Sequence, residues 1–405
     1  MDRRFFLTIA AALAGSNAAV AADGMTSSDA WFTDWLDSFY GRALVAGFKR
    51  SLLDSELKGL SPDPRVTALD ARQPEFARPV SDYVRGVVTA DRITIGRSKR
   101  QTIGAFPKIE QTYGAPREIL IAIWAMESGF GALQGDFDVV RSLATLAAAG
   151  RRRGWAEDQL FACLRILATG EVTRNRLRGS WAGAMGQTQL LPSTFLTAGV
   201  DGDGDGRRDI WGSAADALAS AANLLAKGGW RRGEGWAREA MLRPGFDYSL
   251  SEGPKETPSW WAGQGAKRAD GLAWTVADAA APCVLIAPSG AGGPAFLLLP
   301  NHFVIRTYNN SVAYALSVGF LADRFAGGGP LHTAWPHETP LSLTERLDAQ
   351  TALAKLGYNP GQADGVVGLA TRQALRAWQK SQGLTADGYL SPEMVRRLKS
   401  AAQRA

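Results

Sequence analysis

The sequence predicts a mainly helical protein with a small β element and a separate three-helix unit at its C-terminal end. Three observations carry that expectation. Apolar residues recur at spacings of three and four over residues 38–58 and 155–169, the period of a helix with one buried face. Between residues 281 and 306 the runs CVLIAP, AFLLLP and HFVIRTY interrupt that period. The helical period returns over residues 342–400, after a Gly- and Pro-rich break. With 405 residues, 46% hydrophobic and 21% charged, the chain has the length and composition of two or three globular domains with their own cores.

In chain order, the N-terminus MDRRFFLTIAAALAGSNAAVAADG reads as an export signal over residues 1–22. Arg3 and Arg4 supply its charge, residues 5–14 its apolar core, and Val20, Ala21 and Ala22 a small-residue cleavage site. The core is too short to span a bilayer, so removal is expected, by either the general or the twin-arginine route. Ser16 in LAGS stands where an acylated Cys would be, so no lipid anchor is expected. Cys163 and Cys283 both lie in apolar runs, and a disulfide or two buried thiols suits them equally. The net charge of +6 fits an acidic partner surface. The Arg groups at 151–153, 174–178 and 231–232 are short, which argues for solvated faces over nucleic-acid binding. His302, His332 and His337 are scattered and share no metal-ligand spacing, which speaks against a His-rich zinc enzyme.

The stretch IAIWAMESGFG, residues 121–131, is an apolar run that ends in one carboxylate, Glu127, and breaks at Gly129. A helix ending one or two residues before that Gly puts Glu127 in its last turn. A general acid working near neutrality needs a pKa of roughly 6–7 where a free Glu has about 4.3, a shift of about 3 kcal/mol. The helix dipole contributes only about 0.3–1 kcal/mol, so burial against Trp124, Met126 and Phe130 must supply most of it. The competing reading is a structural ion pair with Arg117 or Arg141. Asp136 and Asp138, beyond the following turn, read as solvated loop acids.

Downstream, GSWAGAMGQTQLLPSTF (179–195) presents Ser180 and Gln189 among small residues that admit a ligand close to the backbone. DGDGDGRRDIWGSAAD (201–216) spaces Asp201, Asp203, Asp205 and Asp209 at positions 1, 3, 5 and 9, with Gly206 at position 6. That is the spacing of an EF-hand loop, with the Arg207 carbonyl at position 7. Gly212 at position 12 cannot be a bidentate ligand, and a polar turn without an ion is the alternative. Past the β runs, with a hairpin turn expected at 289–293, RTYNNSVAYAL (306–316) places Tyr308, Asn309 and Tyr314 around a helix start. That helix runs to about Phe325, and residues 326–341 read as a linker.

In the last segment Leu343, Leu347, Leu353 and Leu356 fall roughly along one helical face, and Asp-Gly recurs at 364–365 and 387–388 as a weak internal duplication. Gln350, Leu353, Gly357, Asp364, Gly365, Gly368, Thr371, Ala374, Trp378, Gln379, Gly383, Leu384, Asp387 and Gly388 together resemble the small three-helix peptidoglycan-binding domain, over residues 342–403. Residues 25–325, through the Glu127, Ser180–Gln189, acidic-loop and Tyr308–Tyr314 motifs, resemble the lytic murein transglycosylase B family, glycoside hydrolase family 103.

That resemblance implies a lysozyme-like α-helical catalytic domain with a small β element and an EF-hand-like loop. It also implies cleavage of the β-1,4 bond between N-acetylmuramic acid and N-acetylglucosamine, with 1,6-anhydro ends. Glu127 is then the acid and base, and Ser180, Gln189, Tyr308, Asn309 and Tyr314 line the cleft. No cofactor is required for the chemistry. A structural calcium or sodium ion is expected on Asp201, Asp203, Asp205, Arg207, Asp209 and, as the resemblance suggests for the last ligand, Asp216. Peptidoglycan glycan strands are the expected partner, other cell-wall enzymes further candidates, with no nucleic acid, no stable membrane anchor and a periplasmic location. A lysozyme-type muramidase and a non-catalytic wall-binding protein remain as alternatives.

Overall fold

The computed structural model describes residues 30–71 and 78–404; the expected export signal lies outside the described residues. Helices α1 (Ala30–Val45), α2 (Arg50–Leu57), α3 (Pro64–Ala71), α4 (Val80–Val87) and α5 (Ala90–Thr102) come first. Then follow α6 (Phe106–Tyr113), α7 (Arg117–Ser128), strand β1 (Phe137–Asp138), α8 (Val139–Ala149) and α9 (Arg153–Thr169). Strand β2 (Arg178–Gly179), α10 (Pro192–Ala198), α11 (Ala214–Lys227), β3 (Ala237–Leu242), α12 (Pro258–Gly263) and β4 (Ala266–Arg268) continue the chain. After α13 (Val276–Ala280) come β5 (Val284–Ile286), β6 (Ala295–Leu298), α14 (Pro300–Tyr308) and α15 (Val312–Phe325). Helices α16 (Leu343–Lys355), α17 (Leu369–Ser381) and α18 (Pro392–Arg404) complete it. No helix among the described residues is long and apolar enough to cross a membrane.

The described residues divide into two compact units, one holding 30–71 and 96–228, the other 78–95 and 229–404. The first is helical apart from the β1–β2 pair. Helix α7 is buried nearly all round, Ile119 through Met126 without a break, as an apolar run without an amphipathic period dictates. It packs on α11, and α8 packs on α9. The period over 38–58 resolves into two helices, because the chain turns at residues 46–49 beside Gly47. Cys163 is a buried free thiol on α9, its pKa raised by burial.

In the second unit an antiparallel sheet has the order β4-β3-β6-β5. The expected hairpin is there, β5 pairing β6 across residues 289–293. HFVIRTY, however, is not a strand but part of α14, with Pro300 in the first turn where its missing N–H costs nothing. Strands β3 and β4 carry no clear alternation in sequence; β3 buries only Ala237 and Ala240. Trp261, Cys283, Leu285, Leu297 and Leu299 form the core of this region. Cys283, like Cys163, is a free thiol.

Helices α16–α18 close over Leu353, Leu375, Trp378 and Leu398. The leucine face expected on α16 is only partly right: Leu343 is 54% exposed, while Arg346, Ala349, Gln350, Ala352 and Leu353 are buried. The buried polar pair has a task. The Gln350 Oε1 accepts from Gly365 N at 2.8 Å, and Arg346 Nε donates to Gly365 O at 2.7 Å. The same clasp recurs at the second Asp-Gly: Gln379 Oε1 accepts from Gly388 N at 2.8 Å, and Arg376 Nε donates to Asp387 O at 3.3 Å.

Within this unit the three helices are docked against the sheet region. The Glu252 carboxylate accepts from Arg372 Nη2 at 2.6 Å and Arg376 Nη2 at 2.7 Å, and Asp387 Oδ2 accepts from Ala291 N at 2.9 Å. Residues 332–338 of the expected linker are held against the sheet region. His332 N and Thr333 N donate to Glu239, Trp335 packs on Phe296 with centroids 5.8 Å apart, and Ser289 Oγ donates to Glu338.

Candidate active site

Glu127 lies in the last turn of α7, which ends at Gly129 in the left-handed conformation, φ 57°. The Gly129 and Phe130 amides close the turn onto the Ala125 and Trp124 carbonyls. Glu127 is half-buried, next to buried Met126 and Ser128. Both arginines of the ion-pair reading are occupied by other acceptors. Arg117 pairs with Glu110, while Arg141 donates to Ser61 O at 2.8 Å and Pro62 O at 2.8 Å.

One helical turn before Glu127, Trp124 donates its Nε1–H to Gln187 Oε1 at 3.0 Å, and Gln187 Nε2 donates to Trp211 O at 3.2 Å. Ser128 Oγ donates to Gln187 O at 2.5 Å and accepts from Gly131 N at 2.8 Å. Gln187 thus ties both neighbours of the acid on its helix to the GQTQ turn. Lys99 sits 5.4 Å from the Trp124 ring centroid, and Phe130 meets the same ring edge-on at 5.9 Å. Gln187, Ser128 and Lys99 are the residues that sequence reasoning passes over.

Ser180 and Gln189 stand in the same unit. Ser180 Oγ accepts from Ala184 N at 3.0 Å, and the paired bridges Gly179–Met185 and Met185–Leu190 fold the small-residue run on itself. Gln189 has φ 48°, strained for a side chain with a Cβ, and donates both Nε2 hydrogens to the Gln134 and Gly186 carbonyls. The atom it offers outward is therefore the acceptor Oε1. Tyr308, Asn309 and Tyr314 belong to the other unit, at the α14–α15 corner, with Asn309 and Tyr314 buried.

The two nearby acids differ from expectation in one case. Asp136 is exposed and 3.6 Å from Arg65. Asp138 is no solvated loop acid: it caps α8 by accepting from Arg141 N at 3.0 Å and pairs with Arg174 at 2.8 Å. A residue one position before a helix start is placed to cap it, which the sequence reading missed.

In the acidic loop, carboxylate oxygens of Asp201, Asp203 and Asp205 lie within 4.8 Å of one another. Amides of Gly206 and then Gly204 hold the Asp201 carboxyl below the usual range. Asp216 is turned to the loop backbone, accepting from Gly202 N at 2.8 Å and Asp209 N at 2.6 Å; burial raises its pKa. Asp209 pairs with Arg176 at 2.6 Å. Three converging carboxylates with hard oxygens suit a cation such as calcium. The far end of this loop supplies Ile210 O and Trp211 O to Gln187, so it props the residue that positions the acid's helix.

The family model of the transglycosylase SLT domain matches residues 31–323, and that of a peptidoglycan binding domain matches residues 342–398. The chain is 31% identical over 248 residues to membrane-bound lytic murein transglycosylase B of Escherichia coli K12, spanning 60% of this chain and 66% of that protein, just under two thirds. SltB3 of Pseudomonas aeruginosa, solved in complex with NAG-NAM-pentapeptide, aligns with a TM-score of 0.87 at 44% identity, over 91% of this chain and 99% of that one. The Escherichia coli lytic transglycosylase SLT35, in complex with calcium, aligns with a TM-score of 0.61 at 27% identity, over 74% and 94%.

Proposed function

The chain belongs to the transglycosylase SLT domain family, and on that premise we propose that it is a lytic transglycosylase of peptidoglycan with Glu127 as its single acid and base. One observation carries the reading: Glu127 ends a buried helix whose last turn is fixed on both sides by Gln187. Glu127 protonates the glycosidic oxygen between N-acetylmuramic acid and N-acetylglucosamine as the C–O bond breaks. The muramic C6 hydroxyl then closes on the anomeric carbon and gives its proton back to Glu127. The product is a 1,6-anhydro end, and no water is consumed.

Ordinary glycosidases need two carboxylates roughly 5–10 Å apart. A nucleophile supplied by the substrate removes that need, and the commitment of Asp138 to its helix cap and to Arg174 supports the one-carboxylate reading. Ser180, through its hydroxyl, and Gln189, through Oε1, are assigned to sugar contacts, and the family resemblance supports the same assignment for Tyr308, Asn309 and Tyr314. Asp201, Asp203 and Asp205, with the Arg207 carbonyl, are assigned to a structural calcium ion. Residues 342–403 are assigned to wall binding, after export to the periplasm.

The test is digestion of purified peptidoglycan by the full chain, with products read by mass spectrometry. Anhydro-muramyl products from the wild type, reduced by about 10²–10⁴-fold in Glu127→Gln, support the reading. Reducing-end products, one water heavier, would instead identify a muramidase.

A further inference from the structure

The first unit carries a groove outside the region of Glu127, lined by Trp31, Asp34, Trp35, Ser38, Arg42, Arg153 and Glu157, with a volume of about 560 Å³. That falls within the roughly 300–1,000 Å³ of small-ligand sites. We propose that this groove is an auxiliary binding site for an N-acetylated glycan segment, with Trp31 as the stacking platform. The choice of an aminoglycan rests on the proposed activity; the groove itself does not.

The lining from α1 falls at spacings of three and four, one face of that helix, opposite Arg153 and Glu157 at the start of α9. Apart from Asp34, its polar groups are fixed before any ligand arrives. Glu157 Oε1 accepts from Trp35 Nε1 at 2.8 Å and Arg42 Nη2 at 2.6 Å, and Arg42 Nη1 donates to Ser38 Oγ at 2.7 Å. Arg153 donates through Nε to the Ala147 carbonyl at 3.2 Å and through Nη2 to Ala148 at 3.5 Å, anchoring its guanidinium on the end of α8. Trp31 is 40% exposed, with Phe32 meeting it edge-on at 5.8 Å. Side chains already held lose little entropy on binding.

The charges decide the ligand class. Arg42 and Arg153 are offset by Asp34 and Glu157, so the groove favours neither an anion nor a cation. An indole face beside fixed donors and acceptors instead matches a neutral ring with one apolar face and a rim of hydroxyl and acetamido groups.

The test uses full-length Glu127→Gln carrying fluorinated tryptophan, with the Trp31 signal assigned by Trp31→Phe. The probe is the β-1,4 tetramer of N-acetylglucosamine, followed by fluorine NMR. A saturable shift of the Trp31 signal, with affinity reduced roughly tenfold by Asp34→Ala, is expected from loss of one hydrogen bond to a charged group. A Trp31 signal that stays put, or that moves with an affinity Asp34→Ala leaves unchanged, overturns the proposal. Absence of anhydro products from the wild type, with the Trp31 response intact, would remove the proposed activity and leave the groove.

Discussion

Glu127 is placed by Gln187, and the strength of that arrangement can be measured. Gln187→Ala frees the Trp124 indole and the Trp211 carbonyl but keeps the Ser128 bond to the main-chain carbonyl of residue 187, with no loss of a titrating group. Misplacing a catalytic group by about 1 Å costs of order 10²-fold, so turnover should fall by roughly that factor while the pH profile of the remaining activity keeps its shape. Glu127 is legible in the sequence because one carboxylate in an apolar run is conspicuous. Gln187 is not, because a glutamine among small polar residues has no period or charge to mark it. His302 tells a similar story. It is fully buried, neither ring nitrogen has a partner among the described residues, and burial pushes its pKa down to about 3. Below about pH 6.5 the unfolded chain takes up a proton that the folded one refuses, so stability falls as pH falls. The slope is about 1.4 kcal/mol per unit, giving about 2 kcal/mol lost at pH 5 relative to pH 7. His302→Leu should flatten that part of the dependence in thermal unfolding scans at the two pH values.

Among elements, the acidic loop holds its expected ligands in two settings. Asp201, Asp203 and Asp205 converge, while Asp209, which the spacing adds to the set, pairs with Arg176 and accepts from the 211–212 amides. A bound ion at Asp201, Asp203 and Asp205 would fix the loop that carries Trp211 O to Gln187. Calcium at about 100 times its Kd should then stabilise the protein by about 2.7 kcal/mol, and Asp201→Asn should abolish that gain in calcium-dependent melting curves. Of the three C-terminal helices, the start signal of the last, Ser391 before Pro392, is plain in sequence. The duplication is plain too, since Asp-Gly repeats, but its cause is visible only when Gln350 and Gln379 are seen closing on Gly365 and Gly388. HFVIRTY misleads because a short apolar run fits either a strand or a helix, and only Pro300 ahead of it argues for the helix.

At the scale of the whole molecule, the helical class and the two-part division of labour are readable from composition and period, but the anchoring of the last domain is not. It depends on Glu252, at φ 63° in a conformation that glycine would hold at about 1–2 kcal/mol less cost. A carboxylate kept in that position bonds two arginines of α17 at once. Glu252→Ala removes the carboxylate that Arg372 and Arg376 share and leaves them only main-chain acceptors, and loss of one partner of a largely buried charge pair costs about 3 kcal/mol. The expected result is faster amide hydrogen exchange and easier proteolysis over 326–341, with α16–α18 still folded. This anchoring also changes what kind of quantity the wall-binding domain contributes. A module on a free tether raises local concentration by an amount set by tether length. One held by Glu252, Glu239 and Glu338 has no such dependence. Lengthening residues 326–341 would then weaken wall retention only by undoing the contacts that hold them, never by diluting the domain in a larger volume.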